Sequence, residues 1–290
     1  MLVVEPDAGP QAVLDLITSA RASLWMEMYL LTDDRVLAAI AGRAAAGCDV
    51  RVILEPAPYQ DAGANQAAFD RLAAAGVDVR WSTARFTYTH AKTFTIDHVR
   101  LAVLTLNLTP AGLNGNREYV ALDDDPTDVA AAETIFAADA PGASTAVPAG
   151  RLVTSPESTR PALRALIDGA RTSLALETEE LTDTAIVGAL LDARARGVAV
   201  TLAWPGPASG AGSAFLKLAA TGAVVRAVTS PPIHGKVLIA DGQTLYVGSA
   251  NLTPTSLDQN REMGLWLDQP ATAALLAATV ANDAAGGTAP

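Results

Sequence analysis

The sequence predicts an α/β fold of two homologous α/β repeats, each a mixed β-sheet flanked by helices. Three observations predict it. The chain repeats itself. Helix-period and strand-period segments alternate along each copy. The length of 290 residues gives about two domains of roughly 150 residues; half the residues are apolar and 18% charged, enough for a sizeable core.

The repeat is legible residue by residue. Leu2-Val3-Val4-Glu5-Pro6 resembles Leu152-Val153-Thr154-Ser155-Pro156, an offset of 150. At the same offset Ser23, Leu24 and Glu27 match Ser173, Leu174 and Glu177, and Leu31-Thr32-Asp33 matches Leu181-Thr182-Asp183. Further on the offset is 144: His90-Ala91-Lys92 matches His234-Gly235-Lys236, Asn107-Leu108-Thr109-Pro110 matches Asn251-Leu252-Thr253-Pro254, and Asn116-Arg117-Glu118 matches Asn260-Arg261-Glu262. The division expected is a first repeat over 1–140, a linker rich in Pro, Gly, Ala and Ser over 141–150, a second repeat over 151–283 and a flexible small-residue tail over 284–290.

Within the first unit, 2–4 reads as a strand, 11–21 as a helix, 24–31 as a strand, 33–46 as a helix and 50–54 as a strand. A helix over 64–75 and a strand over 77–81 follow, then a strand pair over 92–96 and 99–105 and a last strand over 118–122. Asp33 and Asp183 suit helix starts. Gly47 and Gly197 suit helix ends.

The net charge is −11, and no basic stripe marks a phosphate-backbone grip. Stable nucleic-acid binding is therefore not expected. No apolar run reaches the ~18 residues of a membrane span. Met1 runs directly into a strand-like segment, with no leader pattern; an exported form would have lost its leader, and the sequence leaves cytoplasmic and exported locations open. Cys48, the single cysteine, excludes an internal disulfide and reads as a small buried residue.

The chain has 17 Arg but only Lys92, Lys217 and Lys236, and only His90, His98 and His234. Two of the three Lys and two of the three His lie in the repeated pattern His-x-Lys-x4-Asp. Side chains at i and i+2 of a strand share a face, so His90 joins Lys92 and His234 joins Lys236. Asp97 and Asp241 fall on the opposite face or in the following turn, and Asp241-Gly242 is a hairpin signal; both aspartates read as structural ahead of catalytic.

The next strand brings Thr105 and Asn107 in one copy, Ser249 and Asn251 in the other, to the same edge. These groups can donate to an anionic oxygen, with turn capping as the alternative. Glu118 and Glu262 are the right type to hold the second nitrogen of a working histidine; an ion pair with a neighbouring Arg is the alternative. Glu27 and Glu177 sit among apolar neighbours and need partners, for which the site's lysines or histidines are candidates. Tyr29 shares the face of Glu27. Phe86 and Tyr88, with Pro231, Pro232 and Ile233, suit either an apolar mouth for a lipid or plain core. His98 reads as a surface residue.

The two motifs resemble the paired HKD signatures of the phospholipase D superfamily. The second copy fits His-x-Lys-x4-Asp-x6-Gly-Ser-x-Asn throughout; the first has Leu104-Thr105 for Gly248-Ser249, a change expected to narrow the pocket or weaken a phosphate contact. The resemblance covers nearly the whole chain. It implies two repeats packed as a pseudo-twofold pair with one active site at their interface. It also sets Asp97 and Asp241 with the catalytic set of His90, His234, Lys92 and Lys236.

The implied chemistry is nucleophilic. One neutral His attacks phosphorus and the other, protonated, gives its proton to the leaving oxygen; water or an alcohol then opens a phosphohistidine. The lysines neutralise equatorial oxygens, which Asn107 and Asn251 orient. The N-terminal histidine is often the nucleophile in such two-repeat chains, which favours His90. No metal or cofactor is required, and one chain supplies both half-sites.

The leading expectation is a phospholipase D-type phosphodiesterase acting on phospholipid at a membrane or micelle surface. The runner-up is an HKD-type endonuclease, which the acidic balance disfavours. A non-catalytic phosphate- or lipid-binding protein is disfavoured by the survival of both His and both Lys. A synthase joining two phospholipid-type molecules usually carries membrane-spanning or amphipathic segments, of which the sequence shows neither.

Overall fold

Strands buried on both faces carry near-continuous apolar runs, as at 101–104 and 237–240, whereas 92–96 is buried throughout with lysine and threonine among its residues. The structure, a computed structural model, describes residues 1–146, 149–206 and 212–290. The first half contains β1 (Leu2–Glu5), α1 (Gln11–Ser19), β2 (Ser23–Met28), α2 (Asp34–Ala45), β3 (Asp49–Leu54), α3 (Gln66–Ala74), β4 (Asp78–Trp81), β5 (Lys92–Ile96), β6 (Arg100–Leu104), α4 (Pro110–Asn114), β7 (Glu118–Asp123) and α5 (Pro126–Asp139). The second repeats it: β8 (Leu152–Ser155), α6 (Thr159–Gly169), β9 (Ser173–Glu177), α7 (Thr184–Ala195), β10 (Ala199–Trp204), α8 (Gly212–Ala220), β11 (Val224–Ala227), β12 (Val237–Ala240), β13 (Thr244–Gly248), α9 (Pro254–Asp258), β14 (Glu262–Asp268) and α10 (Pro270–Gly286).

Each half forms a seven-stranded mixed sheet with the same topology, β1-β7-β6-β5-β2-β3-β4 and β8-β14-β13-β12-β9-β10-β11. In the first, β2 runs parallel to β3 and antiparallel to β5; β9 does the same with β10 and β12. The local signals act as expected. Asp33 caps α2 by accepting from the N–H groups of Arg35 and Val36, and Asp183 caps α7 by accepting from Ile186. Gly47 and Gly197 end those helices at φ 89° and 88°.

Side-chain alternation divides the core into layers. From β6 and β7, Ala102, Leu104, Val120 and Leu122 face the helices of their own half. Leu101, Val103, Tyr119 and Ala121 face inward, and join Val237, Val247, Met263 and Leu265 of the other half in one cluster. Helices α5 and α10 complete this central layer. A fully buried Leu or Val contributes about 1.5–3 kcal/mol, so this cluster holds the two halves together.

Several expectations are corrected. β2 stops at Met28 rather than 31, because its neighbour β3 ends opposite it at Leu54. Beyond, Leu31 N–H donates to Asn65 Oδ1, and Asn65 Nδ2 donates to the Tyr29 carbonyl. The tail over 284–290 is not free: α10 runs to Gly286, and Thr288 exchanges backbone hydrogen bonds of 2.8 and 2.9 Å with Ala227. The linker expected over 141–150 includes residues 147–148, which lie outside the described residues.

Candidate active site

The histidine segments precede β5 and β12, and each pairs with the other half. Thr89 bridges Arg261, and Ile233 bridges Arg117. His90 N–H donates to the Arg261 carbonyl at 2.9 Å, and His234 N–H to the Arg117 carbonyl at 3.3 Å. These crossed bridges put each histidine against the glutamate that follows the opposite arginine. His90 Nδ1 lies 2.9 Å from Glu262 Oε2, and His234 Nδ1 lies 2.5 Å from Glu118 Oε1.

Each glutamate is anchored within its own half. Thr105 Oγ1 donates to Glu118 Oε2 and Ser249 Oγ to Glu262 Oε2, both at 2.6 Å. The same hydroxyls accept from the N–H groups of Tyr119 and Met263. Both are fully buried. This corrects the phosphate-binding expectation for Thr105 and Ser249: their hydrogen bonds go to the glutamates and the backbone.

Lys92 Nζ donates to the His90 carbonyl at 2.9 Å and Lys236 Nζ to the His234 carbonyl at 2.6 Å. Both lysine chains are buried. Burial pushes the Lys92 ammonium down to about 7, against the pull of Glu262. Burial likewise pushes His90 down to about 4, although Glu262 opposes it. Burial alone would raise Glu118 and Glu262; their histidines, lysines and hydroxyl donors outweigh it and hold both below the usual carboxylate range. Asn107 and Asn251 each keep a buried Oδ1 with no hydrogen-bond partner, and Asn251 Nδ2 lies 3.5 Å from Glu179.

Asp97 and Asp241 lie elsewhere, which corrects their place in the catalytic set. Five residues of strand separate Asp97 from Lys92, about 17 Å at ~3.4 Å per residue. Asp97 accepts from the N–H groups of Arg21, Ala22 and Ser23; Asp241 accepts from those of Arg171, Thr172 and Ser173. They lock the entry into β2 and β9 at φ 54° and 55°, a conformation Asp tolerates.

Glu27 and Glu177 do not bond the lysines or histidines, a second correction. Both Glu27 oxygens are buried without a hydrogen bond; burial, and then the nearby Asp139, push its carboxyl well above the usual range. Glu177 accepts from the Tyr119 hydroxyl at 2.8 Å, and burial raises it too. Phe86 carries the Arg261 guanidinium 4.3 Å from its ring centroid, and Ile233 lies in the core. Tyr88, by contrast, joins Tyr29 and Tyr59 in an aromatic group. His98 is exposed beside Glu133.

The first motif's Leu104 is no defect in the site. At the equivalent positions Tyr246, Gly248 and Gly264 replace Ala102, Leu104 and Val120. A Cβ on Gly248 or Gly264 would meet the Tyr246 ring or hydroxyl. One ring in the second half fills the volume that three aliphatic side chains fill in the first, on the sheet face away from the other half.

The profile of the family described as cardiolipin synthase, PLD-like domain, matches residues 13–140 and 163–284. The chain belongs to the phospholipase D superfamily. Polyphosphate kinase from Porphyromonas gingivalis is similar in fold, with a TM-score of 0.75 at 16% identity over 97% of this chain and 49% of that one. This chain thus spans about half that protein's length. Phosphatidylserine synthase from Haemophilus influenzae gives 0.70 at 12% identity, over 95% and 83% of the two chains. Nuc from Salmonella typhimurium, a phospholipase D family member, gives 0.43 at 27% identity, over 47% and 94%. No curated protein matches.

Sequence reasoning missed Glu179, whose carboxylate lies 3.4 Å from Lys236 Nζ and 3.5 Å from His234 Nε2. Its signal was a mismatch: Tyr29 stands at the equivalent place in the first repeat. It also missed the partners of the repeated arginines. Arg117 pairs with Asp283 of α10, and Arg261 with Asp139 of α5, each at 2.6 Å across the two halves. Among the described residues no group of three or more His, Cys, Asp or Glu is arranged to hold a metal, and no helix is long and apolar enough to cross a membrane.

Proposed function

We propose that this protein is a phosphodiesterase of phospholipase D type that cleaves, or transfers to an alcohol, the phosphatidyl group of phospholipids. The observation that carries the reading is the reciprocal pairing of His90 with Glu262 and His234 with Glu118 beside two buried lysines. Two histidines held at Nδ1 turn both Nε2 atoms to the same reaction, one as nucleophile and one as proton donor. A phosphohistidine forms as the leaving oxygen takes the proton. Water or an alcohol, deprotonated by the second histidine, then bonds phosphorus as the N–P bond breaks and its electron pair returns to the first histidine. Lys92 and Lys236 offset the charge on the equatorial oxygens, and Asn107 and Asn251 are the amide groups available to orient them. The acidic balance of the chain supports a lipid over a nucleic-acid polyanion. The shared fold of phosphatidylserine synthase supports the reading at the level of architecture only.

The test is purified protein with mixed phospholipid vesicles, ethanol and excess chelator, with products identified by mass spectrometry. Phosphatidic acid and phosphatidylethanol are expected, and both vanish in His90→Ala and His234→Ala. Silence on every lipid with cleavage of single- or double-stranded DNA overturns the lipid reading in favour of an endonuclease.

A further inference from the structure

At one of the positions where the two half-sites differ, the side chain touches a site histidine in both halves. Just beyond β2 stands Tyr29; just beyond β9, 150 residues on, stands Glu179. The Tyr29 ring meets the His90 ring edge-on at 4.4 Å between centroids, and Lys92 Nζ lies 4.9 Å from the Tyr29 centroid. The Tyr29 hydroxyl is turned away, accepting from the Tyr59 N–H at 2.6 Å. Among the described residues His90 Nε2 has no hydrogen-bond or ion-pair partner.

His234 stands instead between two carboxylates, Glu118 at Nδ1 and Glu179 at Nε2. The charged and titratable groups facing Glu179 are Lys236, His234 and, further off, His90, with Glu180 next in the chain; Asn251 Nδ2 lies 3.5 Å from it as well. Lys236 and the histidines together pull the Glu179 carboxyl down to about 2 against its burial, so it is an anion there at any working pH. An anion at Nε2 favours a proton on that nitrogen; the uncharged Tyr29 ring beside His90 supplies no such anion.

We propose that Glu179 is a positioning residue that gives the two histidines different jobs: it keeps the reactive proton on His234 Nε2 and leaves His90 Nε2 bare. The proposal rests on the phosphodiesterase reading of the site. The His90 Nε2 lone pair forms the N–P bond while the P–O bond breaks; its electron pair stays on the leaving oxygen, which takes the His234 proton. In the second step His234 removes a proton from water, the water oxygen bonds phosphorus, and the N–P pair returns to His90.

The test uses bis(p-nitrophenyl) phosphate, a diester indifferent to lipid or nucleic-acid preference, with rapid quenching and peptide mass spectrometry. Wild-type protein is expected to carry the phosphoryl group on His90. In Glu179→Gln, phosphoenzyme formation slows about tenfold and the label divides between His90 and His234. Label on His234 in the wild type, or an unchanged rate and position in Glu179→Gln, overturns the proposal. A second readout needs no turnover: with only three histidines, their ring ¹⁵N signals resolve individually. Glu179→Gln must move the His234 Nε2 signal and spare that of His98; an unmoved His234 signal also overturns the proposal. Failure to release nitrophenolate sinks the phosphodiesterase reading instead, and the ring-nitrogen spectra then decide the place of the proton by themselves.

Discussion

His90 and Glu262 stand 172 residues apart in the chain and 2.9 Å apart in the fold. His234 and Glu118 mirror them across the pseudo-twofold relation. Each half therefore carries a histidine whose Nδ1 is held by the other half, so a site built this way needs both halves docked. Glu262→Gln keeps the shape and the Ser249 bond but removes the charge that fixes the His90 ring. Turnover of bis(p-nitrophenyl) phosphate is expected to fall by about 10²–10⁴-fold with the melting temperature nearly unchanged, and Glu118→Gln is expected to do the same through His234. Full activity in either variant would remove the pairs from the mechanism.

The pH profile follows from two buried groups. His90 must be neutral to attack, and burial has moved its protonation down to about 4. Lys92 must be charged to hold an anion, and burial has moved its deprotonation down to about 7. For kcat/KM, which reports the free enzyme, activity rises as pH climbs through about 4 and falls as it passes about 7. In Lys92→Arg, whose guanidinium stays charged, the alkaline fall of any surviving activity moves to higher pH, where the proton donor alone sets it. A profile that keeps climbing past pH 8 would contradict the assignment.

Asp97 and Asp241 separate structure from catalysis. Each carboxylate accepts three consecutive backbone N–H groups far from the histidines. Hydrogen bonds to a charged acceptor contribute about 1.5–3 kcal/mol, so Asp97→Ala is expected to cost on the order of 2 kcal/mol in urea unfolding. Turnover per folded molecule stays within about twofold. A loss of turnover with stability intact would return the aspartates to the catalytic set.

Much of this was written in the sequence. The repeat placed His, Lys, Asn and Glu in matched pairs, because a twofold site needs each chemical group twice. What the repeat hid was contact across the halves. A sequence shows Glu118 beside Arg117, yet their side chains diverge: the glutamate turns to the His234 of the other half and the arginine to Asp283. Helices α5 and α10 were hidden for a related reason. Both sit in the central layer, and α5 buries Asp128, Val129, Ala131, Ala132, Ile135, Phe136 and Asp139, a spread wider than one stripe. Glu179 escaped because a search for matching pairs passes over the position where the copies differ.

Gly235 answers another such difference. Its counterpart is Ala91, but a Cβ on Gly235 would stand 2.7 Å from Tyr119 Cε2 and 3.0 Å from Glu177 Oε2. The residue equivalent to Tyr119 is Met263. Gly235→Ala is expected to lose about 1–3 kcal/mol by overpacking and to displace His234 and Lys236 on either side. Gly235→Ala with Tyr119→Met recreates the pair Ala91 and Met263 and is expected to recover most of the turnover. Equal damage in single and double variants would show that the tyrosine is not the obstacle.

The crossed arginines offer the sharpest test of how the halves are held. Arg261 is 1% exposed; it donates to Asp139 at 2.6 and 3.0 Å and to the Ser155 carbonyl at 2.9 Å, with Phe86 stacked on it. Its backbone carbonyl also receives the His90 N–H. Removing one partner of a buried pair strands the other charge, a cost of about 3–5 kcal/mol. Arg261→Met therefore strips Asp139 of its bidentate partner and leaves it only the more distant Arg85, and is expected to destabilise the chain by about that much and to lower turnover through His90. Arg261→Met with Asp139→Leu removes the buried pair together, leaving the partly exposed Glu157 to solvent and Arg85, and is expected to regain much of the stability. Urea unfolding of the single and double variants measures the difference. If the double variant is no more stable than the single, the arginine acts through its carbonyl and phenyl contacts rather than through the ion pair.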